Sequence, residues 1–282
     1  MMGGVCVLAA FGSVGARRTL GALKHRSTRL DLQLLIGNQL LDALGALPTL
    51  FGSFWLATHV VFALDRVVRP ELSAPGWLIG LAYSVVLFLA WDASRYVLHR
   101  ITHEVPALWE FHQIHHSAEV LTPLSFHRAH PVELLLYRIR GVLVTGLVAG
   151  LFFWLFRGEA KMVELLGVHA GGFVLNALTG NLRHSHIWLS FGPLERWFIS
   201  PAQHQIHHAE GVHANYGTWL AIWDRLGGSL VLSEEPPAVL GVAAADRNHG
   251  DDLLSAWLGP FVKLASAQRT ESAGTGLPGS SR

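Results

Sequence analysis

The chain has 282 residues, of which 51% are hydrophobic and only 15% charged, with a formal net charge of +1. Soluble domains carry about 25% charged residues, so an ordinary water-soluble fold is disfavoured, and the near-neutral balance without a basic stripe argues against a nucleic-acid partner. The single cysteine, Cys6, excludes a disulfide framework within the chain and any cysteine-based zinc or iron–sulfur site.

The opening stretch, MMGGVCVLAAFGSVGARR, holds an apolar run of signal-peptide length, but Arg17 and Arg18 follow the run instead of preceding it. That order is wrong for a secretory signal, so this opening stretch is read as a mobile extension or the product of a misassigned start, within a basic N-terminal segment 1–33. Apolar runs follow at 34–64, 77–98, 134–156 and 162–182. Each is near the ~20 residues a helix needs to cross a bilayer core. Buried helices of a large soluble α-protein are the alternative, and so little charge favours the membrane. The expected fold is an all-α integral membrane protein with about four transmembrane helices and a cytoplasmic, histidine-rich helical cap.

Arg17, Arg18, Lys24, Arg26 and Arg29 precede the first run, which puts that end in the cytoplasm by the positive-inside rule. Counting 34–64 as one crossing, bent at Pro48 or else a hairpin, brings the block 99–133 and the stretch from His184 onward to the same face. Arg138 and Arg140 fall early in the third run and are expected to snorkel. The expected division is a basic segment 1–33, a membrane-embedded domain 34–265 and a disordered small-polar tail 266–282.

The second run ends WDASRYVLHRITHEV, where Asp92, Tyr96, His99 and His103 recur at three- and four-residue spacings and so share a helix face. Two histidines at i and i+4 can hold one metal, although a lone pair of this kind reads equally well as interfacial histidines at a helix end. The pentapeptide HQIHH then adds His112, His115 and His116, and the same pentapeptide returns with His204, His207 and His208. In each copy the i, i+3 pair is expected on one face and the adjacent third histidine on another, so that one segment serves two metals. These imidazoles are too many for one ion, and two metals are the economical reading. Without thiolates, imidazole suits zinc, copper, iron or nickel, and residue types do not choose among them.

Together HRITHE, HQIHHS, RHSH, SPAQHQIHH and NYGTWLAIWDRLGGSL, spread from Asp92 to Ser229, resemble the fatty acid hydroxylase/sterol desaturase superfamily of integral-membrane di-metal oxygenases. The resemblance implies two non-haem irons, O2 as co-substrate, and electrons from a separate ferredoxin or cytochrome b5 type protein with its reductase. It carries a metal-ligand role to His99, His103, His112, His115, His116, His204, His207 and His208, with His184 as a ninth candidate. His186 departs from the family pattern, where an asparagine or acid is common, and is read as lying behind the ligands or at the surface. His130, in FHRAHPVE, is read as supporting a ligand ahead of being one, and His127 as either a support or an exposed loop residue. His25, His59, His169 and His249 lie outside every cluster and are expected to be interfacial or solvated.

Ligand imidazoles pass their second N–H to a carboxylate or carbonyl, and the nearby acids are Asp92, Glu104, Glu119, Glu133 and Glu210. Asp92 and Glu104 are taken as the site's carboxylates. Asp92 comes first because an acid inside a span needs a partner, with a plain helix–helix hydrogen bond as its alternative. Asn215, Tyr216 and Asp224 are expected to orient the last box, and Trp219 and Trp223 to rest on lipid headgroups or pack in the core. The implied reaction is hydroxylation of a C–H bond in a lipid or sterol-like substrate. Desaturation or ether-lipid oxygenation is the alternative within the superfamily. A metal carrier is the rival from another class, but carriers place ionisable ligands mid-membrane along a path, and these lie at the ends of the runs.

Overall fold

The computed structural model describes residues 20–70, 72–157 and 182–274. These residues are helical or in turns, and the only extended pairings among them are two isolated bridges, Phe198 with Leu220 and Ala209 with Leu240. Helix α1 (Arg26–Asp65) starts where the His25 side chain accepts from the Ser27 N–H, and it bends by 40° around Pro48. Proline removes a backbone donor and crowds the preceding turn, so the bend is where the sequence puts it. Helix α2 (Gly76–Glu104) ends at Val105, whose extended backbone is what Pro106 demands of its predecessor, and Pro106 then opens α3 (Pro106–His116). Helix α4 (Pro131–Phe156) follows, then α5 (Pro201–His207), α6 (Ile222–Gly227) and α7 (Leu253–Gly274).

Helices α2 and α4 are long and apolar enough to cross a membrane, and the two halves of α1 add a third if they count as one span. The described residues therefore carry two or three candidate spans. The expected fourth, 162–182, lies outside them but for Leu182. Ile79, Tyr83 and Leu87 of α2 pack on Val148 and Phe152 of α4. Gly146 and Gly150 let α4 approach α1 closely, since a Cβ there would come within 2.8 Å of Leu56 and 2.7 Å of Val60. On the outer face Trp77, Leu81, Val85 and Phe88 are exposed, as a lipid-facing surface requires.

One end of this bundle is polar inside. Arg128 and Asp31 form a fully buried ion pair at 2.8 Å, and Arg128 also bonds Ser27, Ser117 and the Ile114 carbonyl. Leu30 and Leu34 of α1 meet Ile114 of α3 and Ala256 of α7. The start of α1, the histidine-bearing α3 and the C-terminal helix are thus one packed body.

Three expectations change. Helix α1 runs unbroken through residues 33 and 34, with Ser27, Leu30 and Asp31 buried. Residues 266–274, read as disordered tail, continue α7, because Ala267, Gln268, Arg269 and Glu271 are good helix formers. Arg140 does not snorkel. It lies 4.1 Å over the Trp91 ring and donates to the Trp91 carbonyl and Ser94, a cation–π contact that satisfies the charge where it stands; Arg138 likewise donates to the Leu41 carbonyl.

Candidate metal centre

All nine histidines singled out as ligand candidates converge. They form two adjacent groups, His99, His103, His112, His116 and His207 in one, and His115, His184, His204 and His208 in the other, with the ring nitrogens of each group within 4.8 Å of one another. The allocation within the pentapeptides differs from the expected one. In the first copy His112 and His116 serve the first group and His115 the second; in the second copy His204 and His208 serve the second group and His207 the first. Helical geometry explains this. Residues at i, i+4 are about 40° apart around the axis and those at i, i+3 about 60°, so the i, i+4 pair shares a target and the residue between turns away. Two identical segments thereby exchange their third histidine.

Local sequence holds the segments in place. Ser200 and Gln203 form a capping box at the start of α5, with Pro201 in its first turn. Asn215 adopts a positive φ of 56°, donates to the Gln203 carbonyl and accepts from the Val231 N–H. Asp224 accepts from the N–H groups of Tyr216 and Gly217, and a Cβ on Gly217 would sit 2.6 Å from that carboxylate. The turn so fixed aims two carbonyls at the histidines.

Those carbonyls decide where the protons are. His99 Nδ1 donates to the Tyr216 carbonyl at 2.8 Å, His207 Nδ1 to that of Ala214 at 2.7 Å, and His115 Nδ1 to that of Arg128 at 2.9 Å. A carbonyl only accepts, so each of these Nδ1 atoms carries the proton, and in a neutral ring Nε2 is bare. Burial pushes His207 down to about 3, against its bond to Ala214, and pushes His115 down to about 4. It also drives His116, His204 and His208 well below the ordinary histidine value, and neighbouring imidazoles add to the shift.

In the first group the consequence is one lone pair facing another. Nε2 of His207 lies 3.0 Å from Nε2 of His99, with neither bearing a proton. In the second group His184 Nε2 lies 3.2 Å from His115 Nε2 and 3.0 Å from His204 Nε2, which is 3.2 Å from His208 Nε2. Nitrogens bound to one ion at about 2.0–2.1 Å are about 2.9–3.4 Å apart. Both ring nitrogens of His103 and Nε2 of His116 are buried without a partner, a costly state that a cation would relieve. The donor set fits two imidazole-bound metal ions.

The remaining candidates fall elsewhere. Neither Asp92 nor Glu104 is hydrogen bonded to an imidazole among the described residues. Asp92 accepts from the N–H groups of Trp219 and Leu220 and from Trp223 Nε1, which fixes the turn carrying the Tyr216 carbonyl. Glu104 pairs with Arg100 at 2.6 Å in a half-exposed position. Among the described residues the carboxylate hydrogen bonded to one of the nine clustered histidines is Glu133, 2.9 Å from His112 Nδ1. His130 caps α4 by accepting from the Val132 N–H and donates to the Trp257 carbonyl, so it supports the helix that carries Glu133. His249 is buried beside Ser117, not solvated. His25 caps α1, His59 is paired with the Trp55 carbonyl on the outer face, and His169 lies outside the described residues. His213, two residues before the Asn215 turn, is marked by no spacing rule, yet its ring is 6.3 Å from that of His103.

The family profile for fatty acid hydroxylase matches residues 84–229, a segment that contains all nine histidines. The chain is similar to ornithine lipid hydroxylase of Rhizobium tropici, 31% identical over 185 residues, covering 62% of this chain and 51% of that protein. It is 29% identical over 151 residues to alkylglycerol monooxygenase of Xenopus tropicalis, covering 52% of this chain and 30% of that protein. It is also 29% identical over 156 residues to lathosterol oxidase of Mus musculus, covering 55% of this chain and 46% of that protein. The matched stretch thus spans 51% or less of the length of each of these relatives. No solved structure matches the chain.

Proposed function

The chain belongs to the fatty acid hydroxylase family, and from that premise we propose that it is a membrane-bound, O2-dependent oxygenase that hydroxylates a C–H bond of a lipid or sterol-like substrate. The observation that supports this best is the pair of facing, proton-free Nε2 atoms of His99 and His207 within nine clustered imidazoles. His99, His103, His112, His116 and His207 would hold one iron, and His115, His184, His204 and His208 the other. When bound, such a pair supplies, with O2 and external electrons, the oxidising power that an unactivated C–H bond requires.

The chain's own residues orient, exclude and position. The carbonyls of Tyr216, Ala214 and Arg128 and the carboxylate of Glu133 hold imidazole protons on Nδ1 and aim Nε2 inward. Trp109, 5.1 Å from His103 and 5.5 Å from His116, and Tyr216, 5.0 Å from His103, flank the first group with aromatic surface that keeps water from it. Asp92 acts through the turn it fixes. The start of α1 is tied to the loop that follows the histidine-bearing α3 by Arg26–Glu119 and Asp31–Arg128, and with that end cytoplasmic the histidines are cytoplasmic too. The membrane-embedded domain, 34–265, then takes in the first turns of α1 as well. Electrons arrive from a separate ferredoxin or cytochrome b5 type donor with its reductase.

The test is turnover under ¹⁸O2 with the iron-loaded protein in lipid bilayers, such a donor and its reductase, followed by mass spectrometry of extracted lipid. Label in a hydroxylated product is the expected result. An unlabelled alkene would assign desaturation instead. Absence of O2 uptake with any donor would overturn oxygenase activity, and metal flux across vesicles would then favour a carrier.

A further inference from the structure

The cap carries an apolar face that the metal centre does not use. Leu194, Trp197, Phe198 and Leu226 are all at least half exposed, at 59, 55, 50 and 74%. Three of them lie in one short stretch that includes a one-turn 3-10 helix (Gly192–Arg196). Large side chains held out together in this way mark an interaction surface.

Their height along the bundle can be read from hydrogen bonds. Asp92 lies 16 residues beyond the start of α2, about 24 Å up the helix at 1.5 Å per residue and so still within the ~30 Å hydrocarbon thickness. Asp92 accepts from the N–H groups of Trp219 and Leu220. The Trp219 carbonyl in turn accepts from Ile199 N–H, and the Trp197 carbonyl from Ala221 N–H, in the bridge that pairs Phe198 with Leu220. Trp197 and Phe198 therefore stand two hydrogen-bonded layers out from Asp92. Leu226 is pinned a little higher, because Arg100 Nη1 donates to the Gly227 carbonyl next to it at 2.7 Å. On α2 itself Val97 and Ile101, flanking that level, are exposed. Apolar side chains are thus presented at the same height on the span and on the cap.

Charge agrees with this placement. Arg196 and Arg225 lie within the same stretches, and the Arg225 guanidinium sits 6.0 Å over the Trp197 ring. Tryptophan beside arginine, with leucine and phenylalanine beyond, is the composition of a segment seated where lipid headgroups meet acyl chains.

We propose that Phe191–Phe198 together with Leu226 is an interfacial anchor, which seats the cap in the outer edge of the same leaflet from which α2 emerges. The occupant is the bilayer itself. Trp219 and Trp223, the residues first considered for this role, face inward instead: Trp223 donates to Asp92, and the Trp219 ring packs under Arg183. The anchor holds the turn bearing the Tyr216 carbonyl at fixed depth, so that a substrate leaving the bilayer meets the histidines without crossing water. The proposal rests on the membrane-spanning reading of α2 and α4, and its test separates the two.

The experiment uses the full chain in vesicles, with Cys6 replaced by alanine and one environment-sensitive dye placed on Leu194→Cys, Phe88→Cys or Glu210→Cys. Position 88 lies on the exposed face of α2, and 210 is an exposed, charged position in the turn after α5, outside the proposed anchor. With lipid brominated on its acyl chains, the dye at 194 should lose about half its fluorescence, as expected of a group ~5–10 Å into the headgroup–acyl boundary. The dye at 88 should be quenched as well, and aqueous iodide should quench only 210. Iodide quenching at 194 with lipid quenching at 88 would overturn the anchor alone. Protection at 194 from both quenchers would assign the face to a protein partner and overturn the anchor too. Loss of lipid quenching at 88 would overturn the spanning reading and the anchor with it.

Discussion

Glu133 Oε1 accepts from His112 Nδ1 at 2.9 Å, with both side chains buried. The two residues are 21 positions apart and on different helices. Replacing Glu133 with alanine leaves that imidazole free to rotate and its donor unpaired. Metal affinity of the first group should fall about 10–100-fold, the usual effect of losing a carboxylate behind a ligand. Chelator competition followed by elemental analysis should show one metal per chain lost early and one retained. Glu133→Gln, which can still accept, should fall between. Two metals lost in parallel would contradict the assignment of Glu133 to one group.

The exchanged third histidines make a sharper test. His204→Ala and His207→Ala are three residues apart on one short helix, yet each should empty a different group. The metal signal that disappears, read by Mössbauer spectroscopy of ⁵⁷Fe-loaded protein, should therefore differ between them. His115→Ala should resemble His204→Ala, and His116→Ala should resemble His207→Ala. Identical spectra for all four would mean that the two groups act as one.

The Arg128–Asp31 pair is buried on both sides. Removing one partner from such a pair costs about 3–5 kcal/mol because the other charge is stranded. Asp31→Asn should therefore lower the midpoint of thermal unfolding in detergent far more than Arg26→Gln, whose ion pair is exposed. Replacing both Asp31 and Arg128 with leucine-sized apolar residues should recover much of the loss. A small effect of Asp31→Asn would show that water reaches the pair.

Acid should destabilise the metal-free protein earlier than carboxylate protonation alone would. Burial puts His115 and His207 at about 4 and about 3, against about 6.5 in an unfolded chain. Between these values the unfolded chain binds more protons than the folded one, so stability rises with pH. The contribution is complete above about pH 6.5 and is lost as pH falls toward 4 and then 3. Unfolding midpoints should be flat from about pH 7 upward and decline below about 6.5. A variant with phenylalanine at 115 and 207 should show a shallower decline. An unchanged slope would mean these rings do not carry the acid response.

The histidine clusters were legible because one residue type recurs, and helical spacing marks which ones can converge. The allocation was not, since i, i+3 and i, i+4 both count as one face until the ~20° difference between them is resolved by a partner. Glu133 has no local signature; only the packing of α4 on α3 brings it to His112. Asp92 meets the Trp223 indole, but two of its three partners are backbone donors 127 and 128 residues later, and no side-chain pattern encodes those. Three apolar runs coincide with α1, α2 and α4 because hydropathy reports transfer into lipid directly. Arg140 was misjudged because hydropathy cannot see the Trp91 ring beneath it.

The order of residues along the chain also gives the two metal groups different histories during synthesis. Four of the five imidazoles in the first group lie between residues 99 and 116 and emerge from the ribosome almost together, whereas three of the four in the second lie between 184 and 208. Chains are made at about 5–20 residues per second, so for several seconds the nascent protein displays a nearly complete nitrogen cluster with no second site beside it. Metal ions supplied during synthesis would therefore meet the first group before the second, whose His204 and His208 arrive with α5.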